Sequence, residues 1–517
     1  MVKSPSESRR SGRLARMVVF AAAAAMSMTV VSQARADVTD QLLDQLRAKG
    51  VLTHGEYSKL KSRHAAEKAD MARPHHYSKD GVVVVPDDRY LTRLDKGIGF
   101  HIPGLVTKEG EVGAIDVKIS GDLIFGADET FGLHGTPGAV IGGGLVTASP
   151  NQPYNSIQAG LLPSAIVLSI ATNQMGYDLG FTIGAYTGGT NTDTSTSFNA
   201  NGPGAPHALG TPGIDLRQVF GTVGTPTFGS VKIGRDLGLF GSDAILNDAT
   251  LLGMGSPLTS NAPRNTTLGR IGIGYVYADW IPQITYTTPD FNGFTASISA
   301  MQPMEAFNFA GVTPATALFA PYSSTISGQE LPMVQGQIKW KGNIAPGAAL
   351  TVSGDGVWQQ HRFDGATGSV SLLTNQASVN SWGLDGFGKL DIDGFSFVAY
   401  GYYGKGLGTT GLFFDGFDFA GNARTSYGGY AQASYTWDKF TFGASWGVSA
   451  LNATGFDWAT GVGPTLVHDN ESVIGFLRYQ LTPWMALQAE YGHTWTTNQL
   501  GGQLSEDDLW LGTAWFF

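Results

Sequence analysis

The sequence predicts an all-β transmembrane antiparallel β-barrel of about sixteen strands, preceded by a short helical segment. Three observations lead there. From about residue 114 to the end, apolar and polar residues alternate with a period of two. Short and long connections alternate between those runs. Charged residues are only 14% of the 517-residue chain, with 71 glycines and 11% aromatics, whereas soluble proteins carry ~25% charge. Past residue 36 no apolar stretch approaches the ~20 residues of a spanning helix. In a barrel half of each strand faces lipid and half faces water, so hydropathy never accumulates.

Residues 1–36 read as an export signal. Lys3, Arg9, Arg10, Arg13 and Arg16 form a basic start, and Met17 to Val31 is an apolar run of 15 residues. Ala34-Arg35-Ala36 then fits the small-x-small cleavage rule, placing Asp37 at the mature N-terminus. Without the signal's six basic residues and one acidic residue, 26 Lys+Arg stand against 41 Asp+Glu, a formal charge of −15 over 481 residues. That excess argues against nucleic acid as a partner and enriches the nearby solution in cations. No cysteine is present, so neither a disulfide nor a thiolate metal site is available.

Residues 37–70 have a different rhythm. Leu42, Leu43, Leu46, Val51, Leu52, Tyr57 and Leu60 recur at roughly helical spacing, Lys49-Gly50 interrupts them, and Thr53 with Glu56 resembles a capping box. Two short periplasmic helices are expected, as a plain cap, a trimeric coiled-coil foot or a cell-wall contact. Residues 71–113 are a polar, proline-bearing linker in which Val82 to Val85 and Ile98 to Ile102 could be short strands.

The barrel follows, from 114 to 517. Val117, Ile119, Gly121, Leu123 and Phe125 alternate with Lys118, Ser120 and Asp122. Phe440, Phe442, Ala444, Trp446 and Val448 alternate with small residues, and Leu487, Ala489, Tyr491 and Trp495 with Gln488, Glu490 and Thr494. Seven short connections lie near 173–177, 224–230, 288–293, 341–347, 391–394, 436–439 and 481–484. Eight long ones lie near 128–164, 188–214, 236–279, 303–332, 359–379, 405–425, 451–470 and 497–506, which makes about sixteen strands. In such barrels short turns are periplasmic and long loops external, so both ends of the barrel are expected in the periplasm.

Trp358, Tyr435, Trp437, Tyr479, Trp484 and Trp495 fall near strand ends on the alternate face, as interfacial girdles do. Leu509, Leu511, Thr513, Trp515 and Phe517 share one face of the last strand.

These last residues resemble the assembly signal of the Gram-negative general porin family. The stretch from Phe228 through Arg235 and Asp236 to Gly238 is similar to the strand entering that family's third loop. Gly269 to Gly274 resembles the loop's exit, and Thr287 to Phe294 the turn after the next strand. The resemblance implies a trimeric, sixteen-stranded outer-membrane channel for small hydrophilic solutes and ions. It implies contact with outer-membrane lipid and lipopolysaccharide, and handling by barrel-assembly machinery through Trp515 and Phe517. It also implies that segment 236–279 folds inward and carries acids facing bases on the wall, a pairing that creates a transverse field. By position the acids are Asp243 and Asp248, and the wall bases Arg217 and Arg270. Asp122, Lys118, Asp236 and Arg235 join them at the constriction. Asp122 stands where the family often has lysine, and Ala165 to Ala171 lacks the usual arginine, so modest cation selectivity is expected. The helical N-terminus looks more like the foot of specialised porins, which keeps a solute-specific channel for phosphate, other anions or sugars as the alternative.

Other signals have plainer readings. Asp236, Asp243 and Asp248 could be ordinary turn aspartates, but the stretch from Gly234 to Arg270 is long for a structureless loop. Gly443 to Gly447 matches the G-x-S-x-G pattern of hydrolases. Ser445 sits within an alternating strand, however, and His493 is expected on the opposite face. No catalytic set, cofactor or metal site is expected, and His75-His76 reads as solvated linker. Lys118, Asp355, Lys389, Arg478 and Glu490 fall on the expected inner face, where Arg478 and Glu490 can pair. An adhesin or structural anchor is the remaining reading, and the helical segment would serve it.

Overall fold

The computed structural model describes residues 98–102, 105–107, 110–112, 115–146, 154–159, 164–187, 214–253, 255, 269–304, 331–362, 378–418 and 420–517, with Tyr57 and Lys61. Tyr57 and Lys61 are helical, and the Lys61 Nζ donates to the Tyr57 hydroxyl at 2.7 Å. The export signal, most of the helical segment, Val82 to Val85 and His75-His76 lie outside the described residues.

Twenty strands are described. β1 (Ile98–Ile102), β2 (Leu105–Thr107) and β3 (Gly110–Val112) precede the long β4 (Ile115–Gly135). Then come β5 (Tyr154–Ala159), β6 (Ala165–Gln174), β7 (Tyr177–Thr187), β8 (Ile214–Thr225) and β9 (Gly229–Leu237). β10 (Trp280–Thr287), β11 (Phe294–Met301), β12 (Met333–Ala345), β13 (Ala348–Arg362), β14 (Ser378–Ile392) and β15 (Phe395–Lys405) follow. β16 (Thr425–Trp437), β17 (Phe440–Asn452), β18 (Val467–Thr482), β19 (Met485–Asn498) and β20 (Gln503–Phe516) complete the series.

Each strand from β6 to β20 pairs antiparallel with the next, and β20 returns to β4, from Phe516↔Asp122 up to Leu504↔Gly135. β5 and β6 lie end to end along one edge of β4. β1 occupies the other edge below β20, from Ile98↔Ile119 to Ile102↔Ile115. The ring is therefore a closed sixteen-strand antiparallel barrel, as the sequence predicts. Ile98 to Ile102, left unplaced from the sequence, is that edge patch.

All seven expected short turns are present, with two to six residues between paired strands. Two expected long connections are shorter than predicted. β4 continues past residue 128 to Gly135, because a bulge opposite Glu506, with Gly132 at φ +63, lets it absorb a break in the alternation. β19 and β20 are joined by residues 499–502 alone, where the Asn498 side chain accepts from the backbone of Leu500 and Gly502.

The two faces of the wall separate as the period-two pattern requires. Ile284, Ile298, Ile338 and Leu384 point outward and are 58–66% exposed, part of an apolar belt. All six girdle aromatics named from the sequence lie on this outer face or in its turns, and several are in ring contact. Phe395 stands 4.4 Å from Tyr435, and Phe440 4.8 Å from Tyr479. The inner face carries Ser120, Gln218, Gln283, Gln335, Ser445 and Thr494.

Candidate functional site

The candidate site is the barrel interior and the segment folded into it. After β9, residues 238–253, 255 and 269–279 leave the wall and run inside the ring. The segment is apolar on its own inner side. Phe240, Ala244, Leu251, Ile271, Tyr275 and Tyr277 are buried in one cluster with wall residues Tyr400, Tyr402 and Tyr430. Burying that surface offsets much of the cost of ordering the segment.

Hydrogen bonds fix its path, strand by strand. The Gln335 side chain on β12 accepts the backbone N–H groups of Leu239 at 2.7 Å and Phe240 at 2.9 Å. Asp385 on β14 accepts from Gly241 at 2.9 Å and from the Tyr400 hydroxyl at 3.0 Å. Gly241 has φ +74, which a glycine tolerates and which starts the short helix α1 (Ser242–Leu246). Farther on, Tyr430 donates to the Ala244 carbonyl at 2.8 Å, Gln432 accepts from Ala249 at 2.8 Å, and Arg478 donates to the Ala249 carbonyl. The Gly255 N–H reaches Glu490 on β19 at 3.2 Å. The segment thus spans the interior from β9 to β19.

The predicted site residues take definite places. Asp243, on α1, accepts from Lys339 on β12 at 2.8 Å and from the Ser353 hydroxyl on β13 at 2.7 Å. Asp248 caps the 3-10 turn Ala249–Leu252 through Thr250 and accepts from the Tyr275 hydroxyl at 2.8 Å and the Arg270 N–H at 2.7 Å. Burial pushes the Asp248 carboxyl up, against the opposing pull of Arg270, Thr250 and Tyr275. Both acids therefore lie on the inward segment.

The bases differ from expectation. Arg270 is not on the wall facing the acids across a gap. It belongs to the returning arm of the same segment, beside Asp248, and is 0% exposed. Its Nε donates to the Ser445 hydroxyl at 3.0 Å and one terminal nitrogen to the Ser472 carbonyl at 3.2 Å. It also donates to the Ser445 carbonyl and the Ser472 hydroxyl. Burial brings the guanidinium down to about 10, with Asp248 and Glu490 opposing. Arg217 lies on β8 at a register shift, fully buried over the Tyr186 ring at 5.2 Å.

Asp236 belongs to β9 rather than to the segment. It faces inward, bound to Lys232 and, at 3.0 Å, to Gln218. Arg235 takes the outward face, its Nε donating to the Trp280 carbonyl at 3.1 Å. Lys118 and Asp122 are on the inner face of β4, as the alternation predicts. Arg478 and Glu490 do approach, at 3.8 Å.

Ser445, the serine of the hydrolase-like pattern, is an anchor for Arg270. His493 points outward and meets Asp507 at 2.9 Å. The two share no site.

Two further excursions also fold inward, which the sequence reading missed. Residues 407–417 pack Leu407, Leu412, Phe413 and Phe417 into the same cluster, with His361 against Phe413 at 4.6 Å. Residues 136–146 bring Ile141 and Val146 against Leu451, Leu466 and Leu504, while Thr496 accepts from Val146 at 3.2 Å. At the loop end, Arg424 and Asp457 form a fully buried two-point pair at 2.7 and 2.8 Å. The anchors Gln335, Lys339, Asp385, Gln432 and Ser472 were also missed. Each occupies an inward position, which alternation marks, but no local signal names its partner.

No protein-family model and no curated protein matches the sequence. Solved structures share its fold. The outer membrane channel DcaP of Acinetobacter baumannii aligns at a TM-score of 0.55 and 15% identity, over 80% of this chain and 100% of that one. Weaker likenesses include Salmonella typhi OmpF in complex with daunomycin (0.45, 11%, 78% and 98%) and Pseudomonas putida OprB (0.43, 11%, 77% and 94%). The fold is that of the outer-membrane porin barrels.

Proposed function

We propose that this chain is an outer-membrane channel through which small hydrophilic solutes and ions diffuse passively, with a weak preference for cations. The observation that carries the reading is a closed barrel, apolar outside and polar inside, partly occupied by a segment anchored through buried hydrogen bonds. A polar wall beside a fixed obstruction passes solutes by size and charge without turnover. The solute-specific alternative finds no support among the described residues of the inner wall. Arg217 and Arg270 are spent on Tyr186, Ser445 and Ser472, and the wall tyrosines pack against the inward segment.

The same reading places the short turns and both ends of the barrel in the periplasm, residues 1–36 as a cleaved signal and residues 37–70 as a periplasmic helical piece. It makes the protein a homotrimer. β10 and β11 have eight residues each, against sixteen in β18, and a lipid-facing strand needs about 9–11. A second copy would cover that short wall, where Ile233, Pro282, Ile284 and Leu331 line a groove of about 620 Å³. Trp515 on the outer face of β20 and Phe517 just past its end suit recognition by assembly machinery, and the outer belt suits lipid and lipopolysaccharide. The test is single-channel recording of refolded protein in a planar bilayer with a salt gradient. Stable steps in groups of three with a cation-directed reversal potential are expected. Absence of any conductance would refute the channel reading.

A further inference from the structure

The inward excursions start from the end of the barrel that carries the long connections: residues 136–146 after β4, the segment after β9, and residues 407–417 after β15. All three meet at one point. Gly272, on the returning arm of the segment, is buried with φ +76. A Cβ placed on it would stand 3.1 Å from the Leu145 side chain and 3.1 Å from the Thr410 hydroxyl. The Tyr277 N–H donates to the Thr410 carbonyl at 2.8 Å, which ties the segment to residues 407–417. Residues 453–466, between β17 and β18, hold the other two pieces. Asp457 takes Arg424, whose guanidinium also donates to the Asp415 carbonyl at 2.9 Å. The Thr465 carbonyl accepts from the Gly142 N–H at 2.7 Å, and the Gly142 carbonyl accepts from the Val467 N–H at 2.9 Å.

The three pieces are not held equally. The segment and residues 407–417 bury large apolar side chains in one cluster. Residues 136–146 give Ile141 and Val146 to a smaller one, and Leu145 stays half-buried. On the wall, Asn470 accepts from the Leu145 N–H at 3.0 Å and Thr496 from the Val146 N–H at 3.2 Å. Gly142-Gly143-Gly144 stands directly before Leu145, with Gly143 at φ +84. Glycine turns there at little cost, and a piece with few buried apolar contacts opens more readily than its surroundings. We propose that the junction of Leu145, Gly272 and Thr410 is a gate in the lumen, and that Leu145-Val146 is its moving piece. Gly142, clipped to Thr465 and Val467, is the fixed end. Gly143-Gly144 is the hinge, a short stretch of small residues that absorbs the change in φ and ψ. With Leu145 seated, the three excursions form one obstruction. With Leu145 lifted, the space beside the returning arm opens.

The gate rests on the channel reading, and both are tested by single-channel recording of the full-length protein in a planar bilayer. The wild type is expected to alternate between a lower and a higher conductance level. The chain has no cysteine, so Leu145→Cys with Thr410→Cys introduces its only two thiols. A short bis-methanethiosulfonate that joins them should hold the channel at the lower level, and dithiothreitol should restore the alternation. Leu145→Ala removes the seated side chain and should lengthen the time at the higher level about three- to tenfold. Joined channels that still reach the higher level would overturn the gate while leaving the channel standing. Thiols that the reagent cannot join in the folded protein would overturn it too. Should the double variant fail to insert, Leu145→Ala decides alone, and dwell times equal to those of the wild type would overturn the gate. No conductance from the wild type and Leu145→Ala alike would instead sink the channel reading beneath it.

Discussion

Replacing Arg270 by methionine keeps much of the side-chain volume and removes the guanidinium. In the structure that group donates to four acceptors on Ser445 and Ser472 and sits beside Asp248 and Glu490, at 0% exposure. Hydrogen bonds from a charged donor contribute about 1.5–3 kcal/mol each when taken singly. They do not add, and the better guide is the loss of one member of a buried charged network, about 3–5 kcal/mol. At ~1.4 kcal/mol per tenfold change, this shifts the balance between docked and released segment by about two to three and a half orders of magnitude. The released segment no longer narrows the interior. Single-channel conductance should rise and its open-state noise increase, while added protease cuts within the segment. Arg270→Met channels with wild-type conductance, noise and protease resistance would refute the assignment of Arg270 as the staple of the returning arm.

Other perturbations follow from the same geometry. Lys339→Met leaves Asp243 buried without its cation and should cost ~2–4 kcal/mol of segment docking, read as a smaller but similar rise in open-channel noise. The Arg424–Asp457 pair predicts an acid profile. Burial alone would raise the Asp457 carboxyl, but Arg424 and Thr454 overcome it and hold the group below its usual range. Its contribution is therefore present above the unfolded value near 3.9 and fades only as pH falls through the lower folded value. Emission from Trp458 in the neighbouring helix (Gly455–Ala459) should stay constant down to about pH 4; a transition at pH 5–6 would contradict the pairing. Gly132→Ala must adopt φ +63 and brings a methyl to 2.0 Å from Asp507, so a loss of about 1–2 kcal/mol in urea unfolding is expected. Gly121→Ala puts a methyl 2.4 Å from the Phe517 ring and should slow the appearance of the folded band on refolding into vesicles.

The strands and their faces were legible because one rule governs them. A residue two positions on points the same way, and lipid and water enforce the choice. Ser120 and Phe125 fall on opposite faces by that rule alone, and the barrel buries the first and exposes the second. The inward course of the segment after β9 followed from its length and from the resemblance at its two ends. What failed was pairing at a distance. The resemblance of its neighbourhood to a loop exit implies a wall base at Arg270, yet its partners Ser445 and Ser472 lie 175 and 202 residues away. The excursion at 407–417 carries phenylalanines and glycines that a loop can hold as easily as a core, and only the facing His361 and tyrosines decide the matter. Lys339 and Asp385 are ordinary inward polar residues until α1 is set against them.

The patch of β1 along the lower edge of β4 bears on the order of folding. The ring closes only when β20 meets β4, across a separation of almost the whole barrel, Phe516 to Asp122. Such a contact forms late, because the entropy of closing so long a loop must be met first. Until then the first strand's edge offers free N–H and C=O groups that invite pairing with another chain. β1 reaches the same edge from a few residues upstream, Ile102 beside Ile115, and so can form within the first moments of collapse. It leaves clear the stretch from Asp122 upward that β20 must reach. The nascent barrel would then carry a built-in edge guard over the part of its seam that the last strand never covers.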